Sequence, residues 1–139
     1  MSAADVTRKW TDAINRHDTA GFAALYAPNA VLRDPQYPEP IEGRDAIQKD
    51  LNDFLQGFPD LHVVLRSMME AGDSYAAEGT FVGTHQGPLP TPSGDVPPTG
   101  KRIEFNAAGF YRLDGQGRIL EETRYYDTQG LLAQLEGVS

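Results

Sequence analysis

Four charged residues, Glu121, Glu122, Arg124 and Asp127, crowd into a run that Ile119, Leu120, Tyr125 and Tyr126 otherwise mark as a β-strand. Period two puts Leu120, Glu122, Arg124 and Tyr126 on one face and Ile119, Glu121, Thr123, Tyr125 and Asp127 on the other. A strand that only filled a core would be apolar on one side. This one has no clean side, which predicts that one face lines a polar cavity. A carboxylate placed there is a candidate general base. The competing reading is a structural Glu–Arg pair on an exposed sheet face, and the pattern leaves both open.

The other candidates carry paired readings too. Asp34 precedes Pro35 at a strand end, where a carboxylate can look into a cavity or simply form an Asp-Pro turn. His85 closes a strand before a Pro-rich loop and is either at the cavity mouth or a surface histidine; His17 reads as a surface residue. Trp10 and Tyr26 fill cores and also line pockets. The three histidines are far apart in sequence, so no metal site is expected. No Gly-rich phosphate loop, nucleophile elbow or zinc motif is present.

Composition narrows the classes. A chain of 139 residues predicts one domain, 1–139, with a real core. The net charge of -8, with Lys and Arg scattered, argues against a nucleic-acid partner, because phosphate binding needs clustered cations. Cysteine is absent, which excludes disulfides, thiolate catalysis and Cys-ligated metals. No apolar run approaches a membrane span, and the N-terminus lacks a basic-then-apolar signal pattern, so a cytoplasmic protein is the expectation.

The elements that must position these residues follow from periodicity. Val6, Trp10, Ala13 and Ile14 predict a helix over 3–17, with Ser2 and Asp5 as a capping box. Asp18 or Thr19 caps a second short helix carrying Phe22, Leu25 and Tyr26. Pro28 and Asn29 break the pattern before a strand over 30–34, and the loop PQYPEP after it is stiff enough to cover something. Ile47, Leu51, Phe54 and Leu55 form the stripe of a third helix over 44–57. From Leu61 the period becomes two: Leu61, Val63, Leu65 and Met69 alternate with His62, Arg66 and Glu70. A hairpin turn at 71–73 leads to a strand over 74–85. Residues 86–100 are too proline-dense for a central strand and read as a lid or binding loop. A strand over 101–113, the DGQG turn, the charged strand and a short C-terminal helix capped by Asp127 complete the chain. The order predicts an α+β fold. A curved antiparallel sheet of a four-strand meander wraps on three N-terminal helices and leaves a cone-shaped hollow between them.

The DGQG turn leaves two registers open. One pairs Gly109 with Glu122 and Ala107 with Arg124; the other pairs Ala108 with Glu122 and Asn106 with Arg124. Either places a Gly or Ala across from Glu122, and so leaves space for a ligand beside the carboxylate.

Several segments together resemble the nuclear-transport-factor-2-like (ketosteroid-isomerase-like) superfamily: W-x-x-A-I-N-R-H-D from Trp10, L-Y-A at Leu25 and V-L-x-D-P from Val31 to Pro35. G-R-x-A-I at Gly43, F-P-D at Phe58, G-T-H-x-G at Gly83, P-T-G-K at Pro98 and the ending Y-x-D-x-x-x-L-L-x-Q-L narrow the resemblance to the SnoaL-like polyketide cyclase or ester-cyclase group. The resemblance implies a cone-shaped α+β barrel with a deep pocket, dimerised through the outer sheet face. It also implies ring closure by intramolecular aldol condensation without metal or Schiff base, with one acidic residue on the last long strand moving the protons. Glu122 matches that position, as a Glu where the cyclases have Asp; Asn106 or Ala108 falls where they have a helper. Ketosteroid isomerases share the fold, and their general base resembles Asp34. Trp10, however, falls where they have an oxyanion-hole tyrosine, and Ala108 or Gly109 where they have a protonated Asp, which ranks isomerase below cyclase. Epoxide hydrolases of this fold use an Asp-Arg-Asp set; Arg124 near one of those Asp positions counts against epoxide opening.

The expected enzyme is therefore an aldol-type acid/base catalyst of isomerase or lyase class, acting on a hydrophobic carbonyl substrate without cofactor. Glu122, Asp34 and His85 are its catalytic candidates. Arg124, Asn106, Trp10, Tyr26 and Tyr126 are its substrate-binding candidates. Glu122, made more basic by partial burial, would exchange protons with an activated carbon while Arg124, His85 or Asn106 polarises a carbonyl. A tight Arg124–Glu122 pair would weaken the base and favour mere binding. The alternatives are a hydrolase or dehydratase using Asp34, and a non-catalytic small-molecule binder. The expected partners are a hydrophobic small molecule and a second copy of the chain, with no nucleic acid and no membrane.

Overall fold

Local sequence signals start and stop most of the elements in the computed structural model, which describes residues 2–137. Helix α1, Ala3–Asn15, begins where the Ser2 hydroxyl accepts a hydrogen bond from the Asp5 N–H at 3.1 Å, and it buries Val6, Ala13 and Ile14. It ends two residues before the periodicity predicts, because His17 takes a left-handed φ of 58° that no helix can contain. The Asp18 carboxylate then accepts from the Gly21 N–H at 2.9 Å and caps α2, Thr19–Ala23. Helix α3 spans Arg44–Gly57 and buries Ile47 and Leu51.

Strand β1, Tyr26–Arg33, starts earlier than expected and runs through Pro28 and Asn29. Its parallel pairing with β6 is irregular between Tyr26 and Val31, so Pro28 sits where the ladder asks for no N–H. A two-residue strand β2, Ile41–Glu42, too short to show a period, pairs with β1. The meander follows: β3 His62–Ala71, β4 Ser74–Thr84, β5 Arg102–Leu113 and β6 Ile119–Tyr126. Helix α4, Thr128–Glu136, is capped by Asp127, whose carboxylate accepts from the Gly130 N–H at 2.8 Å.

The six strands form one sheet in the order β2-β1-β6-β5-β4-β3. Every neighbouring pair is antiparallel except β1 and β6. The expected α+β fold, a sheet packed on the N-terminal helices, is present, and the return of β1 to pair with β6 puts the charged strand inside the sheet rather than at its edge. One alternation differs from expectation. A bulge between Leu65 and Ser67 makes Arg66 an extra residue, so Met69 turns outward at 75% exposure and Met68 packs against the core instead.

The loop 86–100 is tied down at several points. The Gly57 carbonyl accepts from the N–H groups of Gln86 and Gly87 at 3.1 and 3.3 Å, and Leu89 bridges Val96 across the loop. A Cβ on Gly87 would lie 2.0 Å from the Gln56 carbonyl oxygen, so only glycine permits this approach of loop to helix end.

Candidate active site

Strand β6 is held on both sides, by β1 and by β5, and this fixes what its inner face presents. Glu122 lies opposite Leu32 of β1 and opposite Tyr111 of β5; Arg124 faces Gly109, and Tyr126 faces Ala107. Neither register open to the sequence is the observed one. A bulge between Arg112 and Leu113 takes up Leu120 unpaired and slides the ladder towards the end of β6. The residue across from Glu122 is therefore a tyrosine, and the small residue expected there, Gly109, sits opposite Arg124.

Between sheet and helices lies a cavity of about 130 Å³. Its walls are largely apolar and aromatic, including Trp10, Phe22, Phe54, Tyr75, Phe81 and Phe105. Phe81 and Phe105 stack at 5.3 Å with an 11° angle between planes. Leu89, Pro90 and Thr91 of the long loop close part of the wall, as do Gln36 and Tyr37 of the loop after β1. At one end the walls turn polar, where Glu122, Arg124, Asp34, Asp50 and Tyr126 line the cavity together.

These polar residues form one network. Arg124 Nε donates to Glu122 Oε2 at 2.6 Å, and Arg124 Nη1 donates to Asp50 Oδ2 at 2.8 Å and to Asp34 Oδ2 at 3.2 Å. The Tyr26 hydroxyl donates to the other oxygen of Glu122, and itself accepts from Trp10 Nε1 at 3.0 Å. The Tyr126 hydroxyl donates to Asp34 Oδ1 at 2.8 Å and accepts from Gln36 Nε2 at 2.9 Å. Asp34 Oδ1 also takes the Gln36 N–H at 2.9 Å, so its turn-forming and cavity-facing readings hold together. Glu122 is fully buried and Asp34 is 8% exposed.

Charge explains why the network is stable. Three carboxylates share one guanidinium, and no isolated buried carboxylate is left without a donor. Burial by itself would lower the pKa of Arg124, but the Glu122, Asp50 and Asp34 charges beside it outweigh burial and drive it well above its ordinary value. Burial, and then the charge of Glu122, push the Tyr26 hydroxyl well up; burial and Asp34 do the same for Tyr126. Both phenols therefore stay protonated donors.

The structure gathers some sequence candidates and separates others. Glu122, Asp34, Arg124, Trp10 and Tyr126 line the cavity. Tyr26 does not: fully buried, it stands behind Glu122 as a donor rather than as a substrate contact. His85 is fully buried away from the cavity, 5.3 Å from the ring of Phe58. Its Nδ1 accepts from the Thr99 N–H at 3.2 Å, which spends it on holding the end of the long loop. In that place His85 does not reach the cavity that Glu122 lines, contrary to the expected position at its mouth. Asn106 faces the other side of the sheet, exposed, accepting from the Thr80 hydroxyl at 2.8 Å, because the observed register sends even-numbered β5 residues outward. Arg124, near one of the Asp positions of the epoxide-opening set, itself lies between two carboxylates, Glu122 and Asp34.

Asp50 and Tyr111 stand next to Arg124 and Glu122 in the cavity wall, and neither was singled out from sequence. Asp50 sits three residues after Ile47 and four before Phe54, on the apolar stripe of α3. A charge on an apolar stripe was the available signal. Among the described residues, no group of three or more His, Asp and Glu side chains is placed to hold a metal ion, and no helix is long and apolar enough to cross a membrane.

Solved structures show the same fold. AclR from Streptomyces galilaeus, a proposed hydroxylase, is 25% identical with a TM-score of 0.81, over 97% of this chain and 81% of that one. IdmH from Streptomyces antibioticus, a proposed polyketide cyclase, is 26% identical with a TM-score of 0.78, over 98% and 99%. A proposed SnoaL-like polyketide cyclase from Jannaschia sp. CCS1 is 16% identical with a TM-score of 0.83, over 98% and 92%. No curated protein matches the chain. The family model of the SnoaL-like polyketide cyclases matches residues 4–135, nearly the whole sequence. With that match, and with a helix-covered sheet enclosing an aromatic cavity, the chain belongs to the SnoaL-like polyketide cyclase family.

Proposed function

We propose that the chain catalyses an intramolecular aldol-type ring closure on a hydrophobic carbonyl substrate, with Glu122 as the proton carrier. The observation that carries this reading is the place of Glu122: fully buried, at the polar end of an otherwise apolar cavity, with donors on both oxygens. Its carboxylate takes a proton from a carbon between two carbonyls. The enolate carbon then attacks a second carbonyl carbon, forming the new C–C bond, and the resulting alkoxide receives the proton back from Glu122. The apolar walls fold the chain so that the reacting carbons meet.

The close Arg124 pair is the main objection, since a neutralised carboxylate is a weak base. Sharing answers it. Arg124 divides its charge among Glu122, Asp34 and Asp50, so the cluster keeps an excess of negative charge. Each Glu122 oxygen takes one donor and so retains a second lone pair for a substrate proton. Arg124 Nη2 has no hydrogen-bond partner among the described residues and is available to a substrate carbonyl oxygen.

Deuterium uptake at the central carbon of benzoylacetone, followed by NMR, tests the reading. Glu122→Gln should slow the protein-catalysed exchange at least about a hundredfold while leaving benzoylacetone bound. Equal exchange in both proteins removes Glu122 from the chemistry.

A second reading rests on the Asp34–Arg124–Glu122 bridge, in which one carboxylate activates water and the other, protonated, donates to the oxygen of an opening epoxide. Hydrolysis of styrene oxide that is lost in Asp34→Asn, without any benzoylacetone exchange, would favour it. The outer sheet face supports the expected homodimer, since Val64, Met69, Phe110 and Tyr125 are exposed on the chain; sedimentation of the protein tests that state.

A further inference from the structure

Gly109 and Tyr111 of β5 act as one device. Gly109 faces Arg124 across the ladder, and Tyr111 faces Glu122. A Cβ built on Gly109 would lie 2.6 Å from the Tyr111 hydroxyl oxygen and 2.7 and 2.8 Å from two of its ring carbons. The tyrosine thus lies back along its own strand, in room that any other residue at 109 would fill. Strand side chains ordinarily stand away from the sheet. This one leans towards Gly109 and is held there by stacking on Tyr75 of β4 at 4.6 Å and 7°, and by an edge contact with Trp10 at 6.2 Å.

The result is a hydroxyl carried from the level of Glu122 to the level of Arg124. Tyr111 is 8% exposed and lines the cavity, and its hydroxyl has no hydrogen-bond partner among the described residues. Open to the cavity and without such a partner, the hydroxyl has its proton free for a ligand held there. Burial, with the negative charge of Glu122 added, drives its pKa well up, so the group keeps its proton and can donate it in a hydrogen bond.

We propose that the Tyr111 hydroxyl, aimed by the missing side chain of Gly109, donates a hydrogen bond to the enol or enolate oxygen of a planar conjugated substrate at the Glu122–Arg124 end of the cavity. The inference rests on the carbon-acid reading above and names the part of the substrate it recognises: an oxygen directly conjugated with a flat ring or dienone. Tyr111 and Arg124 Nη2 then hold that oxygen from two neighbouring strands while Glu122 exchanges the proton.

The test uses 2-naphthol as a stable mimic of the enol and naphthalene as the same shape without the oxygen, titrated by fluorescence. Tyr111→Phe should weaken 2-naphthol about tenfold and leave naphthalene within about twofold. Gly109→Ala, which keeps the hydroxyl but displaces it, should show the same selective loss. Unchanged 2-naphthol affinity in Tyr111→Phe overturns the inference. Equal loss of both probes overturns it as well, since the hydroxyl would then serve the structure. The benzoylacetone experiment separates this from the wider reading. Exchange that requires Glu122, with a naphthol preference indifferent to Tyr111, defeats the donor alone. A naphthol preference that requires Tyr111, with exchange indifferent to Glu122, defeats the aldol reading and leaves Tyr111 as a binding donor.

Discussion

Arg124 Nε lies 2.6 Å from Glu122 Oε2, and the same guanidinium reaches Asp50 and Asp34 through Nη1. One cation therefore holds three carboxylates at the end of an apolar cavity. Arg124→Met leaves those charges facing one another without a partner and should destabilise the fold by about 3–5 kcal/mol. Urea unfolding measures it. Adding Glu122→Gln to the same protein should recover part of the loss. A single-variant cost below about 1 kcal/mol, the range of an exposed pair, would mean that the cluster carries no such strain.

Asp50 competes with Glu122 for Arg124. Asp50→Asn removes an acceptor of Arg124 Nη1, so the guanidinium is held more by Glu122 and Asp34 and is less free for a substrate carbonyl. Benzoylacetone exchange should slow about tenfold with the fold retained. An unchanged or faster rate would show that the Asp50–Arg124 contact does not assist the exchange.

Alkaline pH offers a test of the buried phenols. Burial is the first cause of the raised pKa of Tyr26, Tyr75, Tyr111 and Tyr126 above the ordinary 10.0. The unfolded chain thus loses these protons first. The stability they contribute is complete below about pH 10 and falls as pH rises beyond it, by up to about 1.4 kcal/mol per pH unit for each tyrosine. Urea midpoints at pH 8 and 11 measure the fall, and tyrosinate absorbance of the native protein at pH 11 should be well below that of the unfolded chain. Equal absorbance would show the phenols to be solvated.

His85 and Asn106 should be silent in chemistry. His85→Phe keeps the contact with Phe58 but removes the acceptor for the Thr99 N–H, at a cost of about 1–2 kcal/mol. Proteolysis within 86–100 should speed up while benzoylacetone exchange, per folded molecule, stays within about twofold. Asn106→Ala should leave exchange equally unchanged. A collapse of exchange in either variant would return that residue to the site.

Much of this arrangement was legible in the residues. The bounds of α3, the caps at Asp18 and Asp127, and the meander all follow from local rules, because capping, helical stripes and hairpin turns depend on residues a few positions apart. That Glu122 and Arg124 share a face follows from the period of a strand. That Asp34 stands at a strand end beside a stiff loop follows from Asp-Pro.

What the sequence by itself determined is the class of fold and the presence of a carboxylate beside an arginine on the last strand. Tertiary structure alone decided which side chains they meet. Single-residue bulges at Arg66 and Leu120 reset every pairing beyond them, turning Met69 outward, sending Asn106 to the outer face and setting Tyr111 across from Glu122. A bulge depends on how two strands settle against the rest of the sheet, so no local pattern announces it. The meeting of Arg124 with three carboxylates, from the loop after β1, from α3 and from β6, is likewise a tertiary property, because charge attracts without regard to distance along the chain.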